Sequence, residues 1–124
     1  MLDHISIGVY DLERSIEFYD AVLTALGYER LWRMDDAAGY GKPGEKDEPF
    51  AIKRQTSGVS PNERFHIAFR APSRAAAAAF HAAAIPLGAI DDGAPGVHSE
   101  YGADYYAAFV IDPNGYRLEA VYHG

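Results

Sequence analysis

The chain carries one short pattern twice, and that repetition limits its fold more than any other feature. In residues 2–9 (LDHISIGV), His4, Ser6 and Gly8 alternate with Ile5, Ile7 and Val9, the period-two signature of a half-buried strand. Residues 64–71 (RFHIAFRA) alternate His66, Ala68 and Arg70 with Phe65, Ile67 and Phe69 in the same way. Each strand runs into a helix-cap residue, Asp11 or Ser73, whose side chain can accept from an orphan backbone N–H of a first turn. A single offset of 62 residues lays His4 on His66, Ile5 on Ile67, Asp11 on Ser73 and Phe18 on Phe80, while Gly27 misses Gly88 by one. Self-similarity of this kind predicts a duplicated supersecondary unit.

The first unit continues with Leu12, Ile16, Tyr19, Leu23 and Leu26 at helical spacing, and Glu13, Arg14, Glu17 and Asp20 turned outward. Gly27 is suited to a left-handed helix stop. Strands are predicted at 28–34, 38–42 and 49–55, with a turn-rich connection over 42–48 and a loop over 56–63. In the second unit Ser73 opens an alanine-rich helix running to about Ile85, before Pro86. A strand near 88–90, a Gly/Pro-rich loop at 91–96 and a long strand at 104–111 follow. The turn Asp112-Pro113-Asn114-Gly115 then reverses the chain, because proline presets φ and Asn-Gly tolerates positive φ. It leads into a last strand with Tyr116, Leu118, Ala120 and Tyr122 on one face and Arg117, Glu119, Val121 and His123 on the other. Each half reads as βαβββ, with Lys53 and Glu119 on counterpart strands. The expected fold is therefore α+β, one domain of two modules, about 1–58 and 62–124.

Composition removes several classes of function. With no cysteine, the chain has neither disulfides nor thiolate nucleophiles nor thiolate-bound zinc, so a metal site must use His, carboxylate, carbonyl or water. A net charge of −7 argues against nucleic-acid partners, which demand clustered Lys and Arg. The acidic residues at 35–36 and 45–48 read as solvated loops. Neither a signal peptide nor a membrane-spanning stretch is evident, and the expectation is a cytoplasmic protein.

His4, His66 and Glu119 are the candidate chemical residues. A single strand histidine is ordinarily a polar packing residue, but these two agree in repeat position and in face. Their neighbours Ser6, Gly8 and Ala68 are small and leave room for a ligand, whereas Ile5, Ile7, Phe65, Ile67 and Phe69 make the opposite face the seat of the helices. If the two sheets meet about a pseudo-twofold axis, both imidazoles and the carboxylate point into one cleft, a donor set suited to divalent Zn, Ni, Fe or Mn. Trp32, Tyr40, His98, Tyr101, Tyr105 and Tyr106 offer flat apolar faces with polar tips for the rim of a small-molecule pocket. His81 and His123 read as surface residues.

These residues resemble the vicinal oxygen chelate superfamily, which includes glyoxalase I, extradiol dioxygenases, and bleomycin- and fosfomycin-resistance proteins. The resemblance covers essentially the whole chain. It is carried by Asp3-His4-Ile5-Ser6-Ile7, by residues 11–19 (DLERSIEFY), by Phe65-His66-Ile67-Ala68-Phe69, and most specifically by the Asp112-Pro113-Asn114-Gly115 turn with Glu119. It implies paired βαβββ modules forming an open, cup-shaped mixed sheet with the helices outside, His4, His66 and Glu119 as metal ligands, and a homodimer. Where a glyoxalase I-like site has a glutamate in the first half, the best sequence match is Lys53, whose ammonium cannot ligate a metal. Two readings follow. One is a metal-dependent lyase, isomerase or oxygenase acting on a small oxygen-bearing substrate, with His4 and His66 as ligands only and Glu119 as ligand and, if displaced, base. The other is a metal-free protein that sequesters a small molecule, with Lys53 facing Glu119 or an anionic ligand.

Overall fold

A computed structural model describes residues 1–59 and 61–124; Ser60, within the loop predicted at 56–63, lies outside the described residues. The elements are β1 (Ile5–Val9), α1 (Leu12–Ala25), β2 (Glu29–Arg33), β3 (Ala37–Gly41), β4 (Phe50–Arg54), β5 (His66–Arg70), α2 (Arg74–Ala84), β6 (Ile90–Val97), β7 (Tyr105–Ile111) and β8 (Arg117–His123), with a 3-10 turn at Ile85–Leu87. The strands form two four-stranded sheets, ordered β1-β4-β3-β2 and β5-β8-β7-β6. β1 and β4 are parallel, as are β5 and β8, and the other neighbours are antiparallel. The duplicated βαβββ unit is thus present, as two open mixed sheets.

Local chemistry sets the helix ends. Asp11 accepts from the Arg14 backbone N–H at 3.1 Å, and Ser73 Oγ from that of Ala76 at 3.0 Å. Gly27, at φ 87°, supplies the left-handed stop after α1. The inward faces of the helices bury Leu12, Ile16, Phe18, Tyr19, Val22 and Leu23 from α1, and Ala77, Phe80 and Ala84 from α2. Burial of a side chain the size of Phe18 or Phe80 contributes about 1.5–3 kcal/mol. One apolar core runs through both halves, and among the described residues no helix is long and apolar enough to cross a membrane.

One predicted loop is a strand. Residues 91–96 belong to β6, which stays paired with β7 through register shifts around Gly93. Gly93 is needed there because a Cβ would lie 2.9 Å from the Phe109 ring. The glycine that looked like a strand breaker is the residue that lets the strand approach its neighbour.

Tyrosine hydroxyls join the halves. Tyr19 of α1 donates to the buried Asp112 carboxylate. Tyr116 donates to the Gly8 carbonyl at 2.8 Å and accepts from the Gly8 N–H at 3.2 Å. Tyr28 donates to the Arg70 carbonyl at 2.7 Å. Gly8, at the end of β1, is therefore beside the start of β8. Phe50, paired with Ile5 at the start of β1, has its ring 5.2 Å from that of Phe69 near the end of β5. β1 and β5 accordingly pass each other in opposite senses.

Candidate functional site

Each sheet has one face under its helix and one free of it, and strand register assigns every residue to a face. In the second sheet Ala68 is opposite Glu119, and Glu119 opposite Phe109, so His66, Ala68, Glu119, Phe109 and Tyr105 share the helix-free face. Glu119 is only 3% exposed, and its two oxygens have separate partners. Tyr105 donates its hydroxyl to Oε2, and His66 Nε2 is 3.3 Å from Oε1. A buried carboxylate requires such partners. The imidazole of His66 is 55% exposed, so the pair stands at the wall of an open space rather than inside the core. That space is a cleft of about 370 Å³, walled by Tyr101, Tyr105 and Phe109 and edged by Arg64, Asp92 and Arg117. Arg117 Nη1 is 3.1 Å from Asp92 Oδ2.

The aromatic rim predicted for the second half assembles here. The Tyr101 and Tyr105 rings are 5.2 Å apart, His98 stacks on Tyr101 at 6.1 Å, and His98 meets Phe109 edge-on at 5.2 Å. His98 Nδ1 is also 3.0 Å from Glu100. Burial, and then the Glu119 carboxylate that accepts its hydrogen bond, hold the Tyr105 phenol well above the ordinary tyrosine range. It stays a hydrogen-bond donor across the working pH range. His123, read as a surface residue, sets its ring edge-on to Tyr105 at 5.0 Å. His81, read likewise, is half-buried and 2.9 Å from Asp91. Phe109, Arg117 and Asp92 were not singled out from sequence; the alternation that puts Phe109 on the Tyr105 face was the available signal.

Other predicted residues fall elsewhere. His4 precedes β1 rather than lying within it, is 58% exposed, and has Nδ1 2.6 Å from Asp3. His4 and His66 stand at the starts of strands that pass in opposite senses, so this chain does not gather them. Among the described residues, no three His, Asp or Glu side chains are close enough together to hold one ion. Tyr40 is not at a rim: it is 1% exposed on the helix side of β3, with its hydroxyl 2.9 Å from Asp20. Tyr106 also turns to the helix side, with the Arg74 guanidinium 5.1 Å from its ring centre. Trp32 covers Gly39 on the helix-free face of the first sheet, where an added Cβ would be 2.4 Å from the indole, and its Nε1–H is 3.3 Å from Glu48.

Register also corrects the counterpart of Glu119. Ser6 is opposite Ala51, as Ala68 is opposite Glu119. The equivalent position in the first half is therefore Ala51, and exposed Lys53 lies two residues further along, opposite Gly8. The carboxylate pair is absent, and a methyl group stands in its place.

Two donors of the predicted metal set, His66 and Glu119, lie side by side. Neighbouring ligands about 2.1 Å from one cation stand about 3.0–3.4 Å apart, and the 3.3 Å between His66 Nε2 and Glu119 Oε1 falls in that range. A second cleft, of about 360 Å³, is apolar and is lined by Leu2, Ile5, Tyr28, Phe50 and Phe69 at the junction of the halves.

Comparison with known proteins bears on this geometry. A family model described as Glyoxalase/Bleomycin resistance protein/Dioxygenase superfamily matches residues 1–120. A glyoxalase/bleomycin resistance protein from Albidiferax ferrireducens T118 is 30% identical, over 96% of each chain, with a TM-score of 0.85. A glyoxalase I variant from Zea mays is 24% identical, over 97% of this chain and 45% of that one, with a TM-score of 0.74. The fosfomycin resistance protein of Listeria monocytogenes is 16% identical, over 100% and 93%, with a TM-score of 0.72. These last two likenesses are of fold alone. No curated protein matches significantly.

Proposed function

Because this chain belongs to the Glyoxalase/Bleomycin resistance protein/Dioxygenase superfamily, we propose that it binds a small oxygen-bearing substrate in the Glu119 cleft and transforms it with the help of a divalent cation. The observation that carries this reading is the buried Glu119 carboxylate with one oxygen facing an exposed imidazole at ligand spacing. His66 and Glu119 would hold the ion together with His4 of a second copy, so the active species is a homodimer. A cation there supplies Lewis-acid polarisation of a substrate oxygen. Tyr101 and Phe109 present apolar faces to a small molecule, and His98 backs both rings. Glu119, if displaced from the ion, is the carboxylate that would take a proton, at Oε1, while Tyr105 keeps Oε2.

Metal-free sequestration is the second reading, favoured by Ala51 in place of a carboxylate and by protein partners already on both Glu119 oxygens. Elemental analysis separates the two. Untagged protein purified without chelators, and again after dialysis with Ni, Zn, Mn or Fe(II), is expected to retain about one metal per chain. His66→Ala should lose the metal and keep its circular dichroism spectrum. Full metal content in that variant refutes the ligand set. No retained metal in the wild type under any condition favours sequestration, and a thermal-shift ligand screen then follows.

A further inference from the structure

We propose that Tyr105 is the positioning residue that makes Glu119 a one-oxygen ligand, an inference that rests on the metal-dependent reading above. Glu119 has two chemically equal oxygens, and something must decide which one faces His66. The Tyr105 hydroxyl is bonded to Oε2, which leaves Oε1 toward His66 Nε2 at 3.3 Å.

The sheet explains how a tyrosine from so far along the strand reaches that oxygen. Tyr105 is opposite His123, and Glu119 is opposite Phe109, four residues away along the ladder. Between them on the same face is Ala107, whose small side chain lets the phenol lie along the sheet. The Tyr101 and His123 rings, 5.2 and 5.0 Å away, hold the phenol ring on two sides. A hydroxyl fixed by ring packing anchors Oε2 and prevents the carboxylate from turning to present both oxygens. Outer partners of this kind orient metal ligands, and their loss typically costs about 10–100-fold in metal affinity.

The test is cobalt(II) binding to the full chain, followed by competition with a chromophoric chelator and by the visible d–d absorption of the bound ion. Tyr105→Phe removes one oxygen and keeps the ring between Tyr101 and His123, so the fold is retained. The expected result is at least tenfold weaker binding with a changed d–d spectrum, because a released carboxylate presents both oxygens and alters the coordination number. Tyr106→Phe, a hydroxyl deletion on the opposite face of β7 beside Arg74, should leave both readouts unchanged. If Tyr105→Phe binds cobalt with wild-type affinity and spectrum while His66→Ala does not bind it, the Tyr105 proposal is overturned and the metal site stands. If the wild type binds no cobalt, both are overturned.

Discussion

Tyr19 and Asp112 show how much a single hydroxyl carries. The phenol comes from α1 and the carboxylate from the turn before β8, so their bond spans the two halves inside the core. Backbone N–H groups of Asn114 and Tyr116 also donate to Asp112, at 2.9 and 2.8 Å, yet burial still raises its carboxyl above the ordinary aspartate range. Burial, with the Asp112 charge second, raises the Tyr19 phenol well above its usual value, and burial does the same for Tyr40. The sign follows from linkage. A phenol that binds its proton more tightly when folded contributes stability fully below about pH 10, and that contribution is lost as the pH climbs beyond it. Thermal midpoints should therefore fall steeply above about pH 10, and Tyr19→Phe should flatten the fall while lowering stability near pH 7 by about 1–3 kcal/mol. An equally steep alkaline fall in Tyr19→Phe would remove this account of the residue.

At the scale of elements, β6 depends on the missing side chain at Gly93. Gly93→Ala would place a methyl 2.9 Å from Phe109, the ring that walls the Glu119 cleft. Overpacking of this kind costs about 1–3 kcal/mol, so the urea midpoint should drop; an unchanged midpoint would show that the bulge tolerates a Cβ. The same strand marks where sequence reading ends. Both helices, their Asp11 and Ser73 caps and the faces of β8 were legible, because capping chemistry and period-two alternation are local. β6 was not, since glycine and proline break strands in general and only the facing Phe109 makes glycine a requirement. Tyr40 misled because Gly39 and Gly41 flank it: the glycines take the helix-free face, which turns the tyrosine inward. Lys53 was matched to Glu119 because a two-residue slip preserves the strand face, and only pairing with Ser6 identifies Ala51 as the counterpart. The Glu119–His66 neighbourhood was readable from strand faces and the family resemblance, whereas repeat position grouped His66 with the distant His4, and the Tyr105 bond to Glu119 is a long-range feature without a local signature.

For the whole molecule, the separation of His4 from His66 within one chain makes the proposed site a property of two. Two metal-free variants, His4→Ala and His66→Ala, should each fail to bind cobalt alone. Unfolded together and refolded as a mixture, they should recover about half of the wild-type sites within the mixed dimers, since one of the two clefts there combines intact His4 with intact His66. Absence of any recovery, with dimers present by light scattering, would mean that the two histidines never serve one ion. The Tyr116 bonds to Gly8 bear on another kind of association. A strand at the margin of a sheet offers its spare N–H and C=O groups to any extended peptide that drifts alongside. On β1 the Gly8 pair is already claimed by a phenol of the same chain. An incoming strand would have to evict a tyrosine from the junction of the halves before zipping onto that margin. The hydroxyl that joins the halves thereby also closes that stretch of the β1 margin to strand addition.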